Sequence, residues 1–225
     1  MNNVYYYFLL FYLYCVIGYI AEVLFVYIVD KKWVNRGYLI GPYLPIYGVG
    51  AMLINFLLYG YYNNPIIIFV FSLIICSAIE YLTSYLLEKI FKSRWWDYSY
   101  RKYHINGRIC LLNSVLFGLG GVVIIYGINP ILESILLNMP FIKIKVSVIM
   151  ISIIFMIDLI ISTIDAYRVN HVANHLESII NEYTKNKNIK INKIKTRLFD
   201  AFPYLAKNKG LIKKLKSLKK VDSKR

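Results

Sequence analysis

Residues 65–90 read PIIIFVFSLIICSAIEYLTSYLLEKI, and Glu80 is the only charged residue among the first 23 of them. An α-helix needs roughly 20 residues to cross a hydrocarbon core of about 30 Å. A stretch this long and this apolar therefore predicts a membrane-spanning helix. The rest of the chain agrees, because 58% of its 225 residues are hydrophobic and its mean hydropathy is +0.51.

Four other stretches have a similar length and composition, so the sequence predicts about five transmembrane helices in all. They cover residues 5–29, 43–60, 109–128 and 146–167. The predicted fold is all-α, a polytopic membrane helix bundle with a basic cytoplasmic helical tail. Residues 1–167 are predicted to form the transmembrane domain and residues 168–225 the basic amphipathic tail. With only 3 Cys and so apolar a composition, the chain is neither a disulfide scaffold nor a disordered protein.

Basic residues are distributed unevenly between the segments that connect these helices. Of the 27 Lys and Arg residues, 25 fall in alternate segments, and the tail alone holds 16 of them. The segments in between hold only Lys143 and Lys145. Because Lys and Arg are retained on the cytoplasmic side, we expect a multi-pass protein of the cell membrane. Its N-terminus is expected outside and its C-terminus in the cytoplasm.

The tail carries most of the net charge of +15, since 16 basic and 4 acidic residues follow Tyr167. Near its end, Leu211, Ile212, Leu215 and Leu218 are interspersed with lysines. This pattern is typical of a basic amphipathic helix on an anionic leaflet. We therefore expect the tail to bind anionic lipids of the bilayer. Nucleic-acid binding is disfavoured, because the segment is tethered to a membrane.

Three of the predicted spans carry an acidic residue, namely Glu22, Glu80 and Asp158. A charged side chain at the centre of a membrane helix costs about 2.5–3.5 kcal/mol on insertion scales. One interpretation is a polar cavity or ion relay open to the cytoplasm. The other is hydrogen bonding between helices, with each carboxyl protonated or paired with an arginine. The further ion-pair candidates are Arg36, Glu88 and Arg108.

Arg108 precedes the fourth span, and the third and fourth helices are expected to be antiparallel neighbours because one loop joins them. We predict a polar pair between Glu80 and Arg108 at the mouth of a cavity also lined by Glu22 and Asp158. Glu80 lies up to about 12 Å deeper than Arg108, at a rise of 1.5 Å per residue. Glu88 is therefore the alternative partner of Arg108.

Three strings go beyond a generic membrane composition: NRGYLIGP at 35–42 with PIYG at 45–48, EYLTS at 80–84 with WWDYS at 95–99, and INGRICL at 105–111. Their order and spacing resemble the ABC-transporter type IV family, also called the CmpB-like family, of bacterial multispan membrane proteins. The resemblance covers roughly residues 5–150. It implies a permease-like transport component. Since the chain has no G-x-x-x-x-G-K-[ST] phosphate loop, it also implies a separate ATPase subunit.

The loop between the third and fourth spans contains Trp95, Trp96, Asp97 and Tyr98. Amphipathic rings settle at the headgroup level of a membrane, which favours an interfacial anchor. A docking surface for a cytoplasmic partner is the alternative.

Two further segments are predicted to depart from regular spans. The glycines and prolines of residues 41–50 disfavour a regular helix at the cytoplasmic entry of the second span and allow a re-entrant segment. Irregular backbone at membrane depth requires burial in protein or a cavity to line. Residues 129–140, bracketed by prolines, predict a short amphipathic helix on the outer surface.

Transport is the favoured function, and a homodimer is expected because five spans are few for a conduit. The alternative is an accessory or regulatory membrane protein that acts through its basic tail. An intramembrane enzyme is least favoured, since the sequence has no nucleophile elbow and no H-E-x-x-H motif. We predict no catalytic residue, no metal site and no cofactor.

Overall fold

The computed structural model describes residues 4–31, 33, 37–91 and 94–183. Arg36 and the tail beyond Tyr183 lie outside the described residues. The helices are α1 (Val4–Asp30), α2 (Pro45–Leu58), α3 (Pro65–Phe91), α4 (Leu111–Val123), α5 (Asn129–Leu137) and α6 (Phe141–Tyr183). A single 3-10 turn, Tyr59–Tyr61, extends α2. A two-stranded hairpin, β1 (His104–Ile105) and β2 (Ile109–Cys110), precedes α4.

Each of the five predicted spans corresponds to a helix, and the all-α membrane fold is confirmed. By length and composition, four helices can cross a membrane, namely Val4–Ile28, Pro65–Phe91, Leu111–Leu137 and Phe141–Arg168. The remaining one, Pro45–Tyr61, is a shorter apolar helix. Its crossing of the bilayer stays a prediction.

The predicted surface helix at residues 129–140 is instead continuous with the fourth span. A π-helical segment, Ile124–Ile128, joins α4 to α5, and the backbone N–H of Asn129 donates to the carbonyl oxygen of Ile124. Proline lacks a backbone N–H, and the wider π turn comes immediately before Pro130. The proline therefore does not end the helix, and the combined run is 27 residues long.

The helices pack in an order that places α2 between α1 and α3. The most extensive contact is between α3 and α4, while α6 packs mainly on α1. Small residues allow the α3–α4 contact, because Gly118 lies against Phe69 and Gly121 against Ser72. Close backbone approach of this kind is how helices associate in a membrane, where apolar burial alone gives little driving force.

The hydrophobic core lies at the N-terminal end of α1. Its largest cluster joins buried side chains of α1, α2, α5 and α6: Leu9, Leu10, Tyr12, Tyr14, Ala51, Leu132, Leu136, Ile144 and Val148. The outward faces of the helices are also apolar, as shown by Ile66 at 73% exposure and Ile142 at 63%. An apolar exterior around an apolar core is the arrangement that lipid contact requires.

Candidate functional site

Five polar residues from four helices and one loop meet at a point deep in the bundle. We call Glu22, Tyr47, Glu80, Tyr98 and Asn113 the Glu80 cluster. The Tyr98 hydroxyl donates to Glu80 Oε1 at 3.0 Å, and Asn113 Nδ2 donates to the Tyr98 hydroxyl at 2.8 Å. Glu80 is only 7% exposed. Its second oxygen, Oε2, is buried and has no hydrogen-bond partner among the described residues.

Glu22 of α1 joins the same cluster through α2. The Tyr47 hydroxyl donates to Glu22 Oε2 at 2.7 Å. Glu22 lies near enough to Glu80 for the two carboxylates to interact electrostatically. The ring of Tyr47 reaches this position because Gly18, one turn before Glu22, leaves room for it on α1. The structure thus brings two of the three predicted acidic span residues together.

Tyr98 is the loop residue that completes the cluster. Burial and the neighbouring Glu80 carboxylate raise the pKa of Tyr98 above its usual range. The phenol therefore stays neutral and acts as a hydrogen-bond donor to Glu80.

Arg108 contacts Glu88 and not Glu80. The structure therefore has the alternative pair, Glu88–Arg108, in place of the predicted pair, Glu80–Arg108. Arg108 Nη2 lies 2.8 Å from Glu88 Oε2 and Nη1 donates to Ser84 Oγ at 3.2 Å. The guanidinium also lies over the ring of Tyr81, 5.7 Å from its centroid. Arg94 adds a second cation at 3.3 Å from the same Glu88 oxygen. The cause is depth, because Glu80 is two turns further into α3 than Glu88.

A hairpin turn fixes the loop that carries Tyr98. Asn106 and Gly107 both have positive φ, of 51° and 69°, and the backbone N–H of Arg108 donates to the Ile105 carbonyl at 2.9 Å. These are the features of a type I′ turn, for which Asn-Gly is the favoured pair. The backbone N–H of Tyr98 then donates to the Gly107 carbonyl at 2.8 Å, which ties the aromatic loop to the hairpin.

Asp97 stabilises the start of this loop. It accepts hydrogen bonds from the backbone N–H of Ser99 at 2.9 Å and from the Ser99 hydroxyl at 2.5 Å. Partial burial alone would raise the pKa of Asp97, but these two hydrogen bonds and the charge of Arg94 hold it below its usual value. Asp97 is therefore an ionised cap within the loop.

The two tryptophans of the loop are placed in different surroundings. Trp95 is 2% exposed and packs against Phe91 and Ala166, with Tyr38 beside them. Trp96 is half-buried, and its Nε1 donates to the Arg108 carbonyl at 3.0 Å. Trp95 therefore fixes the loop to α3 and α6 within the protein. A membrane-interface or partner-docking role for the loop stays a prediction.

Asp158 binds a different part of the chain from Glu22 and Glu80. It accepts from the backbone N–H groups of Ile40 at 2.9 Å and Gly41 at 2.8 Å, from the Tyr43 hydroxyl at 2.7 Å, and from Ser162 Oγ at 2.8 Å. Residues 37–44 form no helix. The described contacts of Asp158 therefore serve to hold this irregular segment, rather than to line a cavity with the other two acidic residues.

The irregular segment lies beside the interior of α1. The backbone N–H of Leu44 donates to the carbonyl oxygen of Cys15 at 2.9 Å, near the middle of that helix. Leu39 is fully buried and Leu44 is 7% exposed. Non-helical backbone at this depth is acceptable because it is buried in protein and its donors are satisfied.

A second polar cluster lies in the opposite half of the bundle and was not predicted from the sequence. It consists of Tyr14, Asn55, Tyr62 and Asn129. Asn55 Nδ2 donates to the Tyr14 hydroxyl at 2.9 Å, and the Tyr62 hydroxyl donates to Asn55 Oδ1 at 2.9 Å. Asn129 bonds to both Tyr14 and Asn55. The available signal is Asn55, an uncharged polar residue within the apolar run of the second span.

An apolar groove lies elsewhere, between α3 and α6. It is lined by Ile90, Phe91, Thr163, Ile164, Tyr167 and Arg168. None of the predicted cavity residues takes part in it. Among the described residues there is also no group of three or more His, Cys, Asp or Glu side chains that could hold a metal ion.

The comparisons with known proteins identify one family. The model of the family described as "Putative ABC-transporter type IV" matches residues 9–163. This range contains every residue of the Glu80 cluster as well as Asp158. No curated protein and no solved structure matches the chain. The match covers more than half of the 225 residues, so it confirms the resemblance that the sequence motifs indicated.

Proposed function

The chain belongs to the ABC-transporter type IV family, and from this premise we propose that it is a permease-like membrane component of a transporter. In this proposal a separate subunit hydrolyses ATP, and the present chain provides the passage through the bilayer. A homodimer would supply the number of helices that a conduit needs.

The observation that carries this proposal is the Glu80 cluster. Hydrogen-bonding and acidic groups from α1, α2, α3, α4 and one loop converge there inside an apolar bundle. Ionisable residues inside membrane segments are costly, and in membrane proteins they mark substrate or ion pathways.

A separate ATPase subunit is part of this proposal. No G-x-x-x-x-G-K-[ST] motif is present in the chain, and that motif supplies the backbone cradle for nucleotide phosphates. The α3–α4 loop offers a surface for such a subunit, because it lies on the predicted cytoplasmic side. Arg101 and Lys102 are exposed there.

The test is recovery of ATPase activity with the tagged full chain. Membranes are cross-linked, the chain is purified in mild detergent, and Mg-ATP hydrolysis by the eluate is measured. We expect hydrolysis together with a co-purified protein that carries a phosphate loop. The change Arg101→Glu with Lys102→Glu should reduce this recovery, whereas Lys143→Glu with Lys145→Glu, on the opposite predicted side, should not.

Failure to recover an ATPase after cross-linking would contradict the proposal. It would favour an accessory membrane protein that acts through its C-terminal region. The length of α6 is the observation that favours this second candidate, since the helix has 43 residues and continues to Tyr183. Anionic lipids bound by the basic tail would then contribute to its attachment.

A further inference from the structure

Glu80 has an unusual position for a carboxyl group in a membrane protein. It lies 11 residues before the end of α3, which corresponds to about 16 Å along the helix at 1.5 Å per residue. Only 7% of the residue is exposed, and Oε2 is buried without a hydrogen-bond partner in the described structure. A carboxylate with an unsatisfied oxygen at this depth is strongly disfavoured relative to the neutral acid.

The groups that face Glu80 from each packed element do not include a described cation. They are Glu22 on α1, Tyr47 on α2, Cys76 one turn earlier on α3, Tyr98 in the loop and Asn113 on α4. Arg94 and Arg108 both contact Glu88 instead. A second carboxyl beside Glu80 disfavours two charges in the same site.

The hydrogen-bond directions leave one position for a proton. Asn113 Nδ2 can only donate, so the Tyr98 oxygen accepts that bond and directs its single hydrogen to Glu80 Oε1. Oε1 is thus occupied by a donor, whereas Oε2 is not. We propose that Glu80 is a proton-binding site, with the proton carried on Oε2 and with Tyr98 as the positioning residue that holds the other oxygen.

Proton uptake forms one O–H bond at Oε2 and breaks one O–H bond of a hydronium ion in the solvent, which converts the carboxylate into a neutral carboxylic acid. The site loses one negative charge in the process. The hydronium ion is left as water, so no further reactant is required. This inference goes beyond the ATP-dependent transport role and does not rest on it.

The test is infrared spectroscopy of the full chain in nanodiscs across a pH titration, with exchange into D2O. A protonated carboxylic acid has a carbonyl stretch that is separate from the carboxylate bands. We expect this band at neutral pH in the wild-type chain and in Glu133→Gln, since Glu133 is exposed. We expect it to be lost in Glu80→Gln. Absence of the band in the wild type, or its persistence in Glu80→Gln, would overturn the proposal.

A second variant assigns the band even if Glu80→Gln does not fold. Tyr98→Phe removes the donor that stabilises the ionised carboxylate, so the protonated band should persist to a higher pH and move to a higher wavenumber. Tyr100→Phe is the matched control, because Tyr100 is 67% exposed in the same loop. A merely structural tyrosine would leave both the titration and the frequency unchanged, and that result would reject the assignment to Glu80.

Discussion

Asp158 and Glu80 show two different solutions to the presence of a carboxyl group inside a membrane bundle. Asp158 accepts four hydrogen bonds, two on each oxygen, from Ile40, Gly41, Tyr43 and Ser162. Glu80 accepts one, from Tyr98, and leaves its other oxygen buried. Hydrogen bonds to a charged group stabilise the charged form. The first residue therefore anchors the irregular segment, whereas the second fits the proton-binding role proposed above.

Replacement of Asp158 by asparagine tests the structural role. The amide would place an N–H group against the donors that now point at one carboxylate oxygen, and buried donors without an acceptor cost about 1–3 kcal/mol. Asp158→Asn should lower the free energy of unfolding by that amount. Thermal unfolding in detergent measures it. The control is Asp165→Asn, two turns later on α6, where we expect a change of less than about 0.5 kcal/mol. Equal effects of the two changes would contradict the anchoring role.

The Glu88–Arg108 contact makes a double-mutant cycle informative. The Glu88 side chain is 35% exposed and the Arg108 side chain 11%, so solvent screening limits the interaction to about 1 kcal/mol. The changes Glu88→Gln and Arg108→Gln should therefore couple by that amount when unfolding in detergent is measured. Glu80→Gln and Arg108→Gln should add within about 0.5 kcal/mol. Coupling in the second cycle and additivity in the first would show that Arg108 contacts Glu80.

What the sequence indicates about single residues is limited for physical reasons. Charge and hydropathy were sufficient to find Glu22, Glu80 and Asp158. The partner of Arg108 depends on how far along α3 the hairpin holds this residue, which sequence spacing gives only approximately. The burial of Trp95 depends on α6, which lies far away in the sequence, and local composition contains no information about that contact.

At the scale of elements, the contact between α3 and α4 depends on glycine. A methyl group added at Gly118 would lie 2.9 Å from the backbone oxygen of Phe69 and 2.7 Å from its ring. Gly120 is two residues away on the same helix, and a methyl group there would meet nothing within 4 Å. Alanine substitutions at these two glycines therefore separate the effect of close packing on stability from the effect of helix propensity.

Gly118→Ala should destabilise the protein, because overpacking of a tight contact costs about 1–3 kcal/mol. Gly120→Ala should leave stability unchanged or increase it by up to about 1 kcal/mol, since alanine has the higher helix propensity. Thermal unfolding of the two variants in the same detergent gives the comparison. If both variants behave alike, α3 and α4 do not approach as closely as the structure shows.

The sequence does not predict two elements of the structure, the hairpin and the continuous α4–α5 helix. Asn106-Gly107 is a strong turn signal, but strands of two residues are too short to show an alternating pattern. Pro130 predicts the start of a separate helix, because proline usually ends or kinks one. The π-helical segment before Pro130 instead allows one continuous helix to pass through the proline. Such local backbone adjustments are not visible in composition.

At the scale of the whole molecule, the length of α2 can be related to the depth at which it begins. Pro45–Tyr61 contains 17 residues, or about 26 Å of helix, which is less than the roughly 30 Å hydrocarbon core. The irregular segment before it reaches the interior of α1 at Cys15 and is held there by Asp158. The second span is therefore expected to combine buried irregular backbone with a short helix.

A measurement of the membrane topology would decide whether this arrangement crosses the bilayer. The distribution of basic residues predicts that residue 64 and residue 138 lie outside the cell and that the C-terminus lies inside. Reporter fusions after Asn64, Asn138 and Arg225 test all three positions. We expect external activity from the first two and cytoplasmic activity from the third. The fusion after Asn138 is the control, because its predicted position follows from the crossings of α3, α4 and α6 and does not involve α2. A cytoplasmic signal from the fusion after Asn64 would show that α2 does not cross the bilayer. An external signal from the fusion after Arg225 would show that the predicted orientation is reversed.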